Sequence, residues 1–276
     1  MSVIEFQHVK KSYGDGAPVI KDFTLEVEKG EFVVFLGPSG CGKTTLLKMV
    51  NKMIPFNDGD IRVMDTLLKD WDTIELRRSI GYVIQQVGLL PHLTIRKNIS
   101  FVQDITRAES TESKSKRADT LIELVGLSKD LLPRYPRELS GGQKQRVGVA
   151  RALASDPDII LMDEPFGAVD EIARTALQDE LLAIHRKLGK TILFVTHDIQ
   201  EAFKLGTKIV LINDGKIVQA GSKEDLVFSP KSDYVKSFLG TKGFQATLDE
   251  DEIASVYERV LNNEITLEQF YERLKT

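Results

Sequence analysis

The chain has 276 residues and a formal net charge of −4, which allows one large α/β domain, or a domain with a lobe and a short appendage. The negative charge provides no basic surface for nucleic acid, so we expect no nucleic-acid partner. The single cysteine excludes a disulfide within the chain. The sequence shows no signal peptide and no apolar run near the roughly 20 residues that span a bilayer, so we expect any role at a membrane to be peripheral.

Alternating apolar and polar residues predict two half-exposed antiparallel strands early in the chain, at 3–6 and 25–27. They lead into an unbroken apolar run at 32–36, which is typical of a buried strand. Tyr13 lies in the first turn region, where its ring either packs locally or stacks on a purine base.

A glycine-rich segment joins this apolar run to a helical pattern that begins at Lys43. Its spacing is G-x-x-x-x-G-K-T, and its place between strand and helix is that of a phosphate-binding loop. Glycines let backbone N–H groups approach an anion, and the helix adds its positive N-terminal end. Lys43 then reaches the β- and γ-phosphates, and the Thr44 hydroxyl ligates Mg²⁺. The predicted nucleotide-binding residues are Gly37, Pro38, Ser39, Gly40, Cys41, Gly42, Lys43, Thr44 and Thr45.

Cys41 allows two interpretations within this loop. Its place near a helix N-terminus predicts a lowered thiol pKa, whereas its size predicts only that a small residue fits the loop. Further along, 59–63 is typical of an edge strand, and 80–84 of a buried strand that ends at Gln85.

A helical lobe, from about 86 to 142, is predicted between strands of the main sheet. Within it, Leu121, Ile122 and Val125 share one helical face before a stop at Gly126. The apolar residues 89–93 are either the core of this lobe or a docking patch.

Residues 139–143 predict a second anion-binding helix end. Ser140 is suited to cap the helix, and Gly141 and Gly142, followed by Gln143, leave its first N–H groups bare. Two such ends in one chain suggest that both address one polyphosphate. If they cannot meet within a protomer, a second copy must supply one of them.

Two acids end the buried apolar run 159–162. Because ligands of open α/β sheets bind at the carboxyl ends of strands, Asp163 is predicted to hold Mg²⁺ and Glu164 to polarise the water that attacks the γ-phosphate. Capping of the next helix is the alternative. Asp170 is expected beside the acids, at the start of a helix that stops at Gly189.

A further buried strand at 191–196 places His197 at its carboxyl end, as Gln85 and Glu164 are placed at theirs. There the histidine either bonds the γ-phosphate and orients water or is a structural residue.

With these motifs in place, the chain resembles the ATPase subunit of an ATP-binding cassette (ABC) transporter over residues 2–240. The resemblance implies an α/β P-loop NTPase fold, with a mixed central sheet, an antiparallel β subdomain and a helical subdomain at 86–142. It implies ATP and Mg²⁺ as cofactors. It also implies roles for the motif residues: catalysis by Gln85, Glu164 and His197, metal binding by Thr44, Gln85 and Asp163, and nucleotide contacts from Tyr13, Asp170 and Ser140, Gly141, Gly142 and Gln143.

The same resemblance implies a head-to-tail dimer in which two ATP molecules lie between the phosphate loop of one protomer and residues 140–143 of the other. Gln85 and the patch at 89–93 would contact an integral membrane permease at the cytoplasmic face of the cell membrane, and a substrate-binding protein would act indirectly. In that setting docking becomes the better interpretation of the patch.

The stretch 80–99 and the overall spacing resemble ATPases that serve osmoprotectant uptake, meaning glycine betaine, carnitine or choline. The alternatives are an importer ATPase for another small solute, such as an amino acid or related betaine, and a soluble ABC ATPase without a transport role. Longer relatives append tandem regulatory domains, for which this chain ends too early. Its acidic tail, 241–276, predicts two short amphipathic helices, and Thr266 with Gln269 has capping-box spacing. The tail would pack on its own domain, contact a partner or begin a regulatory region.

Overall fold

The computed structural model describes residues 1–14, 16–85, 88–106, 111–167, 169, 171–248 and the single positions 258, 259, 262, 264 and 266. Asp170 lies outside the described residues. So do the apolar residues on which the two tail helices were predicted, namely Ile253, Val256, Tyr257, Val260, Ile265, Phe270 and Leu274.

The strands form two sheets. They are β1 (Ser2–Lys11), β2 (Ile20–Glu28), β3 (Phe32–Leu36), β4 (Asp58–Val63), β5 (Thr66–Leu67), β6 (Ile80–Val83), β7 (Ile159–Asp163), β8 (Thr191–Thr196), β9 (Lys208–Asn213) and β10 (Lys216–Gly221). The helices are α1 (Lys43–Val50), α2 (Thr73–Ser79), α3 (Ile95–Thr106), α4 (Thr111–Leu124), α5 (Gly141–Leu153), α6 (Glu171–Leu188), α7 (Ile199–Leu205), α8 (Lys223–Phe228) and α9 (Asp233–Gln245).

The smaller sheet is antiparallel, with strand order β2-β1-β4-β5. Alternate residues of β2 are buried, as the sequence pattern predicts, and Phe23 meets Phe6 edge to face at 5.2 Å. The prediction that 59–63 forms an edge strand is wrong in its position. Met64 and Asp65 take positive φ and turn the chain back, so that the two residues of β5 pair with Arg62 and Val63 at the end of β4.

The larger sheet has the order β10-β9-β3-β8-β7-β6. Its strands from β9 to β6 pair in parallel, and β10 joins β9 in antiparallel fashion. Every residue of β3, β7 and β8 is buried, which explains their unbroken apolar runs. The register pairs Leu36 with Thr196 and Asp163 with Val195, so the loops that follow these strands leave the sheet at one edge.

Helices α3, α4 and α5 lie between β6 and β7 in the chain. Their apolar faces, including Ile99, Ile122 and Val147, share one buried cluster with one face of the large sheet. Helix α4 ends at Leu124, and Gly126 has a φ of 67°, as the predicted stop requires.

A buried asparagine fixes the segment that precedes α3. Asn98 is fully buried, and its Nδ2 donates to the carbonyls of Leu90, Leu93 and Thr94 at 3.1 Å each, while its Oδ1 accepts the Leu90 N–H at 2.7 Å. Leu89 packs partly against the core cluster. Asn98 therefore ties the backbone at Leu90 to that at Leu93 and Thr94 within the patch.

The described C-terminal part packs as short helices against the large sheet. Helix α9 kinks at Gly240, where φ is 49°, and Phe244 beyond the kink meets Phe228 edge to face. Among the residues that the structure describes, no helix combines the length and the apolar character needed to cross a bilayer.

Candidate functional site

The loop between β3 and α1 requires glycine at two points. Gly42 has a φ of 106°, and a Cβ there would lie 2.4 Å from Ile20 Cδ1. A Cβ on Gly37 would lie 2.1 Å from the carbonyl oxygen of Ile212. The loop thus packs closely against β2 on one side and β9 on the other, so that neither position has room for a Cβ atom.

Lys43 is buried and lies across this loop. Its Nζ donates to the carbonyl oxygens of Gly37 and Pro38, both at 2.8 Å. Within the described part of the chain, no carboxylate lies within ion-pair distance of it. A buried cation is costly without a counter-charge, so this ammonium is suited to an anionic ligand such as a phosphate.

A cavity of about 170 Å³ opens beside the ammonium. It is lined by Val19, Ser39, Gly40, Gly42, Lys43, Thr44, Thr45 and Glu164. Val19 is the lining residue that the sequence motifs did not indicate. It is apolar, and it reaches the cavity only because β1 pairs with β2. Residues 140–143 do not line the cavity.

Thr44 and Asp163 form the next part of the site. The Thr44 hydroxyl donates to Asp163 Oδ1 at 2.7 Å. Burial raises the pKa of the Asp163 carboxyl, and the hydrogen bond from Thr44 opposes that rise. Both are hard oxygen donors, the type that Mg²⁺ prefers.

The described residues contain no group of three or more His, Cys, Asp or Glu side chains that would hold a metal by itself. Mg²⁺ is commonly bound through one or two protein oxygens together with water and substrate phosphates. The donor set at Thr44 and Asp163 therefore fits Mg²⁺ in its chemistry.

Glu164 is the point at which three strand ends meet. Its Oε2 accepts a hydrogen bond from Gln85 Nε2 at 3.3 Å, and His197 Nδ1 lies 3.3 Å from its Oε1. Its N–H donates to the Val195 carbonyl at 3.0 Å. The side chain is 21% exposed, so the carboxylate is held from both sides and still meets solvent.

The backbone at Glu164 is strained, with a φ of 43°. Residues other than glycine rarely adopt a positive φ. The conformation costs on the order of 1–3 kcal/mol and persists only where the surrounding structure enforces it. Here the bond to Val195 and the contacts to Gln85 and His197 enforce it. The Glu164 side chain lies at the edge of the cavity.

The second predicted helix end has the expected cap. Ser140 Oγ accepts the Gln143 N–H at 3.3 Å, and Gln143 Oε1 accepts the Ser140 N–H at 3.0 Å. Gly141 and Gly142 occupy the first two positions of this 13-residue helix, whose N–H groups have no partner along the helix. Ser140 and Gly141 are exposed, so this end faces outward.

Two predictions concern Tyr13 and Cys41, and base stacking by Tyr13 stays a prediction. Tyr13 is half exposed, and the Lys11 ammonium lies 4.9 Å from the centroid of its ring. The prediction of a lowered pKa for Cys41 is wrong, because burial of the thiol raises its pKa more than the nearby Lys43 lowers it. The alternative, a small residue that fits the loop, agrees with its position in the core cluster below the loop.

Tyr82 is a polar residue that the sequence analysis did not single out. It lies on β6, and its hydroxyl is buried without a hydrogen-bond partner. Burial, together with the negative charge of Asp163, raises the pKa of Tyr82 to about 12. Its position within an apolar strand gave no sign of this proximity.

These features define a class of protein: an α/β nucleotide-binding protein with a phosphate-binding loop. The sequence matches the model of the ABC transporter family over residues 20–167. The chain belongs to the ABC transporter family, and this confirms the family and the fold class that the sequence predicted.

Two relatives illustrate this membership. The carnitine transport ATP-binding protein of Listeria monocytogenes is 49% identical over 255 residues, which is 92% of this chain and 64% of that protein. The glycine betaine uptake system ATP-binding protein of Escherichia coli is 45% identical over 238 residues, which is 86% of this chain and 77% of that protein. The chain thus spans less than two thirds of the Listeria protein.

A solved structure agrees with the fold. It is an ATP-binding cassette in a dimeric post-hydrolysis state, bound to ADP and Pi, and it is 34% identical in sequence. The TM-score is 0.72, and the match covers 79% of this chain and 98% of that one.

Proposed function

We propose that the chain is the ATP-hydrolysing subunit of an ABC importer, and that it energises uptake of an osmoprotectant such as glycine betaine, carnitine or choline. The observation that carries the ATPase part is the placement of Glu164 between Gln85 and His197, at the edge of the phosphate-loop cavity. The choice of solute is supported by the names of the relatives in Listeria and E. coli.

Each group near the cavity has a role in this reaction. Lys43 and the loop N–H groups bind the phosphates of ATP, and Glu164 polarises the attacking water while Gln85 and His197 orient it. Thr44, Gln85 and Asp163 hold Mg²⁺, which offsets the negative charge of the phosphates. Tyr13 stacks on the adenine base.

A second copy of the chain completes the site. Ser140 and Gly141 are exposed, and none of residues 140–143 lines the cavity of its own protomer, so we infer that they bind the phosphates held by the loop of a partner. Asp170 lies in the same interface. The dimeric state of the related cassette bound to ADP and Pi supports this arrangement.

The patch at 89–93 is the proposed contact with an integral membrane permease, which would place the subunit at the cytoplasmic face of the membrane. The hydrogen bonds from Asn98 to its backbone support this role, since they hold the patch in place. A substrate-binding protein acts on the permease and reaches this subunit only indirectly. In the proposed division, 1–240 form the ATPase domain, with the helical subdomain at 86–142, and 241–276 are an acidic helical C-terminal tail.

The ATPase role is tested by measuring ATP hydrolysis by the Glu164→Gln variant. We expect phosphate release to fall by about a hundredfold or more, while ATP binding remains and an ATP-dependent dimer accumulates. Glu224→Gln, at an exposed position on α8, is the matched control and should hydrolyse ATP as the wild type does. Near-normal turnover by Glu164→Gln would remove Glu164 from its role.

The transport role requires a separate experiment. In vesicles that carry the reconstituted complex with its permease, we expect glycine betaine, carnitine or choline to stimulate hydrolysis. Stable association with ribosomes, and none with membranes, would overturn the importer assignment and leave the ATPase assignment intact.

A further inference from the structure

Behind Glu164 and His197 lies a buried carboxylate that the proposed reaction does not use. Glu201 is in the first turn of α7 and is 6% exposed. Its Oε2 accepts a hydrogen bond from the Thr196 hydroxyl at 2.6 Å, and that hydroxyl accepts the Asp198 N–H at 3.0 Å. The residues on both sides of His197 are therefore tied to Glu201.

Arg174, in the first turn of α6, is the second partner of this carboxylate. Its Nε lies 3.9 Å from Glu201 Oε1, and its Nη2 donates to the Val169 carbonyl at 3.1 Å. Val169 immediately precedes Asp170 in the chain. One guanidinium thus bridges the carboxylate behind His197 and the backbone beside Asp170.

The electrostatics make this bridge hard to replace. Burial raises the pKa of Glu201, whereas the Thr196 hydrogen bond and the Arg174 charge lower it. The Arg174 Nε is buried and has no hydrogen-bond partner among the described residues, and the Glu201 carboxylate lies beyond hydrogen-bond distance from it. Removing Arg174 would leave the buried Glu201 carboxylate without its cation, whereas the Arg174 side chain is 30% exposed and stays hydrated when Glu201 is removed.

We propose that Arg174 and Glu201 are positioning residues, which hold the segment around His197 and the segment that precedes Asp170 in a fixed relation. This inference rests on the proposed function. Neither side chain lines the phosphate-loop cavity, so both act through the residues that they hold. The pair links the histidine that contacts Glu164 to the loop that faces the partner protomer.

Arg174→Met tests this, because it keeps most of the apolar stem and removes the charge and the N–H groups. In the full chain we expect kcat for ATP hydrolysis to fall by about tenfold or more, as misplacement of catalytic groups does. The KM for ATP should stay within about twofold, since neither Arg174 nor Glu201 lines the phosphate-loop cavity. Arg174→Lys keeps a charge beside Glu201 and should recover part of kcat.

Two further variants separate positioning from simple stability. Glu201→Gln should also lower kcat, and Arg174→Met/Glu201→Gln should be no slower than Arg174→Met alone, because partners that act as a unit are not additive. Arg96→Met is the matched control: it removes an ion pair to Asp119, 2.7 Å long, within the helical segment. Its kcat should stay within about twofold of the wild type.

The proposal is overturned if Arg174→Met and Glu201→Gln lower the melting temperature but leave kcat within about twofold of the wild type. An inactive wild type would instead refute the proposed function. Amide hydrogen exchange then still tests the bridge: Arg174→Met should speed exchange at both Val169 and Asp198. Faster exchange confined to α6 would contradict the bridge.

Discussion

The Thr44 hydroxyl and the Asp163 carboxylate are joined by a 2.7 Å hydrogen bond, although 119 positions separate them in the chain. The bond ties the first turn of α1 to the end of β7. A cation that binds both oxygens would replace the hydrogen bond, because the hydroxyl would then turn a lone pair to the metal. The hydrogen bond therefore already holds the two oxygens close together.

Thr44→Val tests these donors. It keeps the shape of the side chain and removes the oxygen, so we expect the Mg²⁺ concentration for half-maximal hydrolysis to rise by about tenfold or more. Thr120→Val, on the exposed side of α4, serves as control. An unchanged Mg²⁺ titration of Thr44→Val would exclude the Thr44 hydroxyl as a ligand.

Ser140→Arg tests the shared site. In the Glu164→Gln background, the bulky cation at this exposed helix end should prevent the ATP-dependent dimer, as measured by sedimentation. Ser140→Ala removes the cap alone, which costs about 1 kcal/mol, and should still dimerise at raised ATP. If Ser140→Arg dimerises normally, residues 140–143 do not face the nucleotide of a partner.

Tyr82→Phe tests the buried hydroxyl by pH. Because the pKa of Tyr82 is raised from 10.0 to about 12 in the folded chain, the folded state keeps a proton that the unfolded state loses. The wild type should thus lose stability as the pH rises from 10 towards 12, and Tyr82→Phe should escape this loss.

Urea unfolding of both proteins at pH 8 and pH 11 measures the difference. At pH 8 the variant should be no less stable than the wild type, since no hydrogen bond is lost with the hydroxyl. Equal losses of stability at pH 11 would show that Tyr82 does not titrate in this way.

Cys41 should react slowly with thiol reagents. Its side chain is 6% exposed and burial raises its pKa, so little thiolate is available at neutral pH. We expect a colorimetric disulfide reagent to modify the folded chain at least about a hundred times more slowly than the urea-unfolded chain. Comparable rates would contradict the buried thiol.

Much of the large sheet could be predicted, because buried parallel strands leave an unmistakable apolar run. The run at 32–36 and that at 159–162 are β3 and β7 almost to the residue. The interior position of β4 could not be predicted, since it depends on a two-residue strand that pairs across a turn with positive φ. Local pattern carries no information about which neighbour covers an edge.

The approach of Gln85 and His197 to Glu164 followed from one rule, that parallel strands end at a common edge; the catalytic roles stay predictions. The sequence could not reveal that Cys41 is buried or that Val19 lines the cavity, because both depend on packing between segments that are far apart in the chain. Glu201 was missed since Asp198-x-x-Glu201 reads as an ordinary helix cap. Only the fold turns its carboxylate inward onto Thr196.

The strand order has a consequence for synthesis of the chain on the ribosome. Strand β8 lies between β3 and β7 although it is made after both. Until residues 191–196 have emerged, the glycine loop and the two acids belong to no common sheet, and Glu164 has no Val195 carbonyl to hold it. A nascent or truncated chain that has not passed this late strand therefore has no assembled phosphate-loop site.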